Sequence, residues 1–160
     1  MAAGPKLRIE GAVDSPREFS LADFRQMDEL WQVRDVTRVG VKRGGDAVRL
    51  AGLLASVSLH DGVTHLGLHG TRDNFHASIP LSPVQESAIV VYQNEGQALE
   101  IAAGGPFRFF IPDHAACHTD EIDECANVKF LDRIELTIGK GYDNRPQDDE
   151  QHAKLHEHDE

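Results

Sequence analysis

The sequence reads GGPFRFFIPDHAACHTDEIDECANVKFLDRIELTI from Gly104 to Ile138, and this stretch decides the fold of the chain. Phe107–Ile111 is a short apolar run that follows Gly-Gly-Pro, which predicts a buried strand. Phe130–Ile138 alternates apolar and polar residues, which predicts a half-buried strand. Between the two runs lie both cysteines, two of the nine histidines and five acidic residues. An irregular polar loop held between two strands is typical of a functional site.

Short strands and short helices make up the rest of the pattern. Strands are predicted at Lys6–Gly11, Leu30–Val36, Thr64–His69, Phe75–Pro80 and Ile89–Gln93, and helices at Leu21–Met27 and Leu50–Val57. Because strands outnumber helices, the fold class is predicted to be α+β with a dominant mixed or antiparallel sheet. The most β-prone residues are expected to share one sheet, namely Val90, Tyr92, Phe107, Phe109, Ile111, Ile134 and Leu136.

Composition favours one soluble domain. The chain has 160 residues, 40% of them apolar, which is enough for one core. A net charge of −11 argues against a nucleic-acid partner or an anionic membrane. No apolar run is long enough for a spanning helix, and the N-terminus lacks the order of a secretory signal, so a cytoplasmic location is expected. The sequence identifies no protein partner.

Charge is unevenly distributed along the chain. Residues 143–160 contain seven acidic and two basic residues and no apolar periodicity, which predicts a domain over residues 1–142 and a disordered, dispensable tail. A basic segment precedes Leu50 and contains Arg34, Arg38, Lys42, Arg43 and Arg49. It is either a solvated charged loop or a pocket for an anion such as a cofactor phosphate or another small molecule.

The order of several short motifs resembles a known family. Gly104-Gly105-Pro106 followed by Val128-Lys129-Phe130-Leu131 and Arg133-Ile134-Glu135 is similar to the C-terminal signature of sulfite-oxidase-like molybdopterin oxidoreductases. The resemblance extends backwards over most of residues 6–138, through Val48–Leu54 and Val90–Asn94. It implies a sulfite-oxidase-like molybdopterin-binding domain fold, rich in sheet with short helices.

The resemblance also implies a cofactor and residues that would bind it. Molybdopterin is the implied cofactor, and Arg34, Arg38 and Lys129 are the candidates for holding this anionic group. Lys129 occupies the lysine of the family motif, although a lysine at a strand end can also simply extend into solvent. Phe130 stands where that motif usually has tryptophan, and we interpret it as a core residue.

One expected family residue is missing. In these relatives the molybdenum is bound by a pterin dithiolene and by one cysteine thiolate of the protein. Counting back from Leu50 places Asp35 at the position of that cysteine, or Thr37 or Arg38 if the alignment shifts by a few residues. No cysteine precedes Cys117. Because a carboxylate or guanidinium does not simply replace a soft thiolate, the catalytic residue is unknown and sulfite-oxidase-type turnover is not expected.

The polar loop offers a second kind of site. His114, Cys117, His118 and Cys125 are four soft or borderline donors that could hold zinc or another transition metal. Their spacing matches no standard zinc finger. The alternatives are a Cys117–Cys125 disulfide and two reduced, unreactive thiols.

A second histidine group, His65, His69 and His76, falls on two successive predicted strands. It could line a cofactor cavity, assist Cys117 in binding a metal, or consist of ordinary surface residues. Two functions of different class therefore remain open. One is a molybdopterin-binding, oxidoreductase-like domain, and the other is a non-catalytic module that binds a metal or a protein on the same scaffold.

Overall fold

The computed structural model describes residues 5–39, 44–111 and 128–143. The candidate metal ligands His114, Cys117, His118 and Cys125 lie outside the described residues, as do Lys42 and Arg43. The same holds for the acidic tail beyond Asp143. The predicted metal site and the predicted tail therefore stay predictions.

Strands dominate the described residues. The strands are β1 (Lys6–Gly11), β2 (Arg17–Ser20), β3 (Gln32–Val33), β4 (Asp46–Arg49), β5 (His65–Gly70), β6 (Phe75–Pro80), β7 (Ile89–Asn94), β8 (Gln97–Ala98), β9 (Arg108–Phe110) and β10 (Arg133–Thr137). The helices are α1 (Leu21–Gln26) and α2 (Leu50–Val57), with short 3₁₀ turns at Glu29–Trp31, Val36–Val39, Thr71–Asp73 and Ile101–Ala103. This composition confirms the predicted α+β class. In the described part of the chain no helix has the length and apolar content to cross a membrane.

The first sheet has the strand order β2-β1-β10-β5-β6. Strands β1 and β10 are parallel, and the other neighbouring pairs are antiparallel. Alternation along each strand directs one set of side chains inwards, and Ile9, Leu68 and Ile134 belong to this buried set. The opposite face of the sheet carries charged residues and histidines.

The second sheet has the order β3-β4-β7-β8, and β9 also pairs with β7. Val90 and Tyr92 face the main core, which also contains the inner face of the first sheet. Ile89 and Val91, on the other face of β7, belong to a smaller cluster together with Val36 and Leu99. That smaller cluster holds the 3₁₀ turn Val36–Val39 against the second sheet.

The prediction of one shared sheet was wrong. Val90, Tyr92 and Phe109 lie in the second sheet, whereas Ile134 and Leu136 lie in the first. All of them contribute to one core because the two sheets pack their apolar faces together. Alternation predicts which side chains are buried but not which strands are hydrogen-bonded to each other.

The predicted strand Leu30–Val36 was also largely wrong. Only Gln32–Val33 is a strand, and a 3₁₀ turn lies on each side of it. The side chain of Asp28 accepts a hydrogen bond from the N–H of Leu30 at 3.0 Å, which favours the first turn. Asp35 has a φ of 62°, which ends the extended conformation.

Helix α1 begins where the sequence predicts it. The Ser20 hydroxyl accepts from the N–H of Asp23 at 3.1 Å, and the Asp23 carboxylate accepts from the N–H of Ser20 at 2.9 Å. This reciprocal cap satisfies two amide groups that the helix itself leaves unpaired. The backbone hydrogen bond from Ser20 is the main reason that the pKa of Asp23 is lowered.

Removing this cap should be measurable. We expect Ser20→Ala to lower the free energy of unfolding by about 1 kcal/mol, measured by urea denaturation. Ser15→Ala, in the exposed turn before β2, is the matched control and should change it by less than about 0.5 kcal/mol. Equal effects of the two substitutions would show that the cap contributes nothing.

Candidate functional site

The turn that contains Asp35 is held by Asp46 at the start of β4. The N–H of Asp35 donates to Asp46 Oδ1 at 3.0 Å. The Asp35 carboxylate accepts hydrogen bonds from the N–H and the hydroxyl of Thr37, and the hydroxyl bond is the main reason that its pKa is lowered. Asp35 is therefore an exposed, ionised carboxylate with one oxygen already engaged.

A chain of hydrogen bonds ties this turn to helix α1. Gln93 Nε2 donates to Asp46 Oδ2 at 2.8 Å, and Arg25 Nε donates to Gln93 Oε1 at 2.8 Å. Arg25 Nη2 also donates to the carbonyl of Gly96 at 2.7 Å. Because Gln93 is buried, loss of either partner would leave an unpaired polar group. The conformation of the Asp35 turn thus depends on residues far away in the sequence.

The two predicted arginines differ in their availability. Arg34 forms ion pairs with Glu29 and, at 4.0 Å, with Asp46, and the hydrogen bond to Glu29 is the main reason that its pKa is raised. Its charge is therefore largely balanced within the protein. Arg38 is exposed and makes no ion pair with any residue that the structure describes. The charge of Arg38 acts on the Asp35 carboxylate but forms no ion pair with it, so of the two arginines Arg38 is the more available to an anion.

Lys129 lies at a different place, beside Gly104. A Cβ added at Gly104 would lie 3.2 Å from Cγ of Lys129 and 2.9 Å from Cδ of Arg108, so both cationic side chains pass over this glycine. The N–H of Phe130 donates to the carbonyl of Gly104 at 2.8 Å, which fixes the turn. Among the described residues, no hydrogen bond or ion pair joins Lys129 to either predicted arginine.

Phe130 is only partly a core residue. Its side chain is half-buried, and its φ of 55° places it in the left-handed region. The guanidinium of Arg72 lies 5.7 Å from the centre of its ring. The strand predicted from Phe130 therefore begins later, at Arg133.

The structure brings His69 and His76 together and leaves His65 apart from them. His69 Nδ1 lies 2.7 Å from His76 Nδ1, and His69 Nε2 lies 3.1 Å from Glu135 Oε1. His65 is elsewhere, with its Nδ1 2.8 Å from the Thr64 hydroxyl. Across the described ranges no group of three or more histidine, cysteine or acidic side chains is arranged to hold a metal.

Sequence reasoning missed Glu135 as a partner of His69. The register of the first sheet pairs Glu135 with Gly67, two residues before His69 on the same face. Burial is the main reason that the pKa of His69 is lowered, followed by the charge of Arg133, while the bond to Glu135 opposes the shift. Only the strand register, which no local pattern encodes, could have identified this pair.

A cleft of about 260 Å³ lies at the far end of β7. Its lining residues are Asn94, Glu95, Gln97, Ala98, Leu99 and Glu100. None of the residues predicted for cofactor binding lines this cleft, and its two carboxylates do not suit an anion.

Comparison with known proteins places the chain in a family. The model of the oxidoreductase molybdopterin binding domain matches residues 3–141. The match spans most of the chain, and the chain therefore belongs to this family, which confirms the resemblance. A comparison with curated proteins gives no match.

A solved structure supports the fold. The chain is similar to the sulfane dehydrogenase SoxCD from Paracoccus pantotrophus, with a TM-score of 0.64 and 17% sequence identity. The similarity covers 88% of this chain and 40% of that one. At this identity the likeness establishes the sulfite-oxidase-like fold and nothing about the reaction. The chain spans less than half of the matched protein.

The family implies a molybdopterin cofactor, and the described residues fit only part of it. Arg38, and Lys129 beside Arg108, are cations of the kind that an anionic group requires. Asp35, Thr37 and Arg38, the three residues that counting allows at the family's cysteine position, include no sulfur. Asp35 offers a hard oxygen donor already engaged by Thr37, which does not fit a metal normally bound through a thiolate.

Proposed function

We propose that this domain binds a molybdopterin cofactor and does not catalyse sulfite-oxidase-type turnover. The observation that carries the proposal is the turn from Asp35 to Arg38. Counting back from Leu50 puts the family's thiolate in this turn, where Asp35 is an engaged carboxylate and neither Thr37 nor Arg38 offers sulfur. Asp46 fixes the backbone of Asp35, and Thr37 engages its carboxylate, so the conformation of the turn is held by hydrogen bonds within the protein. In this proposal the cofactor is bound through contacts to its organic part.

Exposed cations support binding of the anionic part of the cofactor. Arg38 is the last residue of the Asp35 turn, and its main-chain N–H donates to the carbonyl of Asp35 at 3.1 Å. Lys129 makes no ion pair within the described residues, so an anion near it need not displace a carboxylate first. Arg34, balanced by Glu29 and Asp46, contributes less than the sequence suggests.

Cofactor analysis of purified protein tests the proposal. Untagged protein produced in a host that makes molybdopterin should release a fluorescent oxidised pterin on denaturation, near one equivalent per chain. Sulfite oxidation with an artificial electron acceptor should stay at background. Lys129→Ala and Arg38→Ala should each lower the pterin content, whereas Arg34→Ala should lower it less. Protein that contains zinc or iron and no pterin would contradict the proposal and favour the Cys/His loop as the binding site.

A cysteine at the ligand position provides the sharper test. We expect Asp35→Cys to raise the molybdenum retained per pterin several-fold, since a thiolate replaces a hard oxygen donor. Asp35→Ser is the matched control, because it removes the carboxylate without adding sulfur. The measurement is metal analysis by mass spectrometry beside pterin fluorescence. If wild-type protein already retains molybdenum stoichiometrically and oxidises sulfite, it supplies a working metal ligand and the proposal is wrong.

A further inference from the structure

His69 is buried on the face of the first sheet that otherwise carries charged residues. His69 lies on the same face of β5 as His65 and Gly67, yet it is only 2% exposed. Gly67 makes room for it, because a Cβ there would lie 2.9 Å from His69 Nε2. The ring therefore lies over Gly67 and reaches Glu135 on the neighbouring strand β10.

The two histidines can share only one proton at their contact. We assign the proton on His69 Nε2 to the contact with the Glu135 carboxylate, which leaves His69 Nδ1 as an acceptor. His76 Nδ1 must then carry a hydrogen and donate it to His69 across 2.7 Å. A proton on both Nδ1 atoms would place two N–H groups against each other and break the contact.

The histidine pair adjoins residues 139–143, which we call the 139–143 segment. The N–H of Gly139 donates to the Thr64 hydroxyl at 2.7 Å, and the N–H of Gly141 donates to the Ser78 hydroxyl at 2.9 Å. The N–H of Ser78 donates to Asp143 Oδ2 at 2.9 Å. The segment therefore occupies hydrogen-bonding groups of β6, which is one of the two outermost described strands of the first sheet.

Tyr142 connects this segment to the histidine pair. Its ring centre lies 5.0 Å from that of His76 with an interplanar angle of 59°, an edge-to-face type of contact. The ring of His76 thus contacts His69 on one side and Tyr142 on another. A change in the position of the His76 ring therefore alters the surface against which the Tyr142 ring packs.

We propose that the His69–His76 pair is a pH switch. It holds the 139–143 segment on β6 at neutral pH and releases the segment when both rings are positively charged. One additional proton on His76 Nε2 leaves the contact between the two Nδ1 atoms intact, because Asn74 Oδ1 lies 3.1 Å away and can accept that N–H. The second must go to His69 Nδ1 and separates the rings.

Charged groups on β10 act on the pair: Glu135 favours and Arg133 opposes a proton on His69. From the 139–143 segment, the Tyr142 ring contacts His76, and the Asp143 carboxylate is bonded to the N–H of Ser78 on β6. Because burial lowers the pKa of His69 below the ordinary histidine value of about 6.5, the unfolded chain takes up this proton before the folded protein does. Stability is therefore fully present above about pH 6.5 and decreases as the pH falls towards the lowered pKa of His69.

Amide hydrogen exchange measured by NMR tests the switch. We expect the protection factors of the Gly139 and Gly141 amides to fall about tenfold or more between about pH 7.5 and about pH 5, in step with the second protonation seen in the ring ¹⁵N shifts of His69 and His76. Each protection factor is referred to the intrinsic exchange rate at its own pH. Constant protection across this range would overturn the proposal.

Three variants separate the histidine pair from other titrating groups. His76→Phe keeps a ring against Tyr142 and cannot take up a proton, so its Gly141 protection should not depend on pH. His65→Gln is the matched control on β5 and should retain the wild-type response. Asp143→Asn keeps an acceptor for Ser78 and should also retain it. A normal response in His76→Phe, or its loss in Asp143→Asn, would assign the effect to another group and refute the switch.

Discussion

Phe24→Ala should lower the free energy of unfolding by about 3–5 kcal/mol, because a fully buried aromatic ring is replaced by a cavity. The Phe24 ring lies 5.4 Å from that of Tyr92, 4.9 Å from that of Phe107 and 6.0 Å from that of Phe19, measured between ring centres. These partners come from three parts of the chain, so one substitution loosens helix α1 against both β2 and β7. Urea denaturation followed by circular dichroism measures the change.

Gln26→Ala is the matched control on the same helix. Gln26 is exposed, and its substitution should change stability by less than about 0.5 kcal/mol. A loss below about 1.5 kcal/mol for Phe24→Ala would mean that the core closes around the missing ring. Because α1 also carries Arg25, we expect weaker anchoring of the Asp35 turn in the Phe24 variant.

Gly11→Ala should cost roughly 2–5 kcal/mol, for two reasons that add. Gly11 has a φ of 95°, which an L-residue with a side chain rarely adopts, and a Cβ there would lie 2.3 Å from the carbonyl oxygen of Leu136. That oxygen also accepts the N–H of Ala12 at 2.8 Å. The added methyl group would therefore separate β1 from β10. The change in unfolding free energy is measured as for Phe24→Ala.

Gly96→Ala separates the two contributions. Gly96 has a φ of 78° with nothing within 4 Å of an added Cβ, so it carries the conformational cost alone. We expect Gly96→Ala to cost about 1–2 kcal/mol, and the difference between the variants to measure the close approach of the strands. Equal costs at the two positions would show that β1 and β10 can move apart freely.

Local patterns were sufficient for most of the strands and both helices. The cap at Ser20 and the apolar run from Leu50 correctly predicted the helices, because capping and amphipathic spacing are properties of neighbouring residues. The partnership of strands was not predictable in the same way. Val90 and Ile134 have equally strand-like surroundings and lie in different sheets, since hydrogen-bonding partners are set by how the whole chain packs.

At the candidate site, too, some features could be predicted from the sequence and others required the fold. The family signature points to Lys129 and to the missing thiolate, and both stay predictions that depend on motif order and residue type. The balance of charge around Arg34 was not predictable, because Glu29 reaches it through a 3₁₀ turn that the alternation of Leu30–Val36 concealed. Likewise, the contact of His69 with Glu135 required the register of β5 and β10.

The central place of β10 in the first sheet has a kinetic consequence. Arg8 pairs with Arg133, so strands far apart in the sequence lie side by side. Among the described strands, β10 is the one that joins the β1–β2 pair to the β5–β6 pair. During synthesis both pairs leave the ribosome long before β10 does, and each then exposes an open edge. We expect slow folding that is governed by the arrival of β10, and a greater tendency to aggregate whenever elongation pauses before that strand is made.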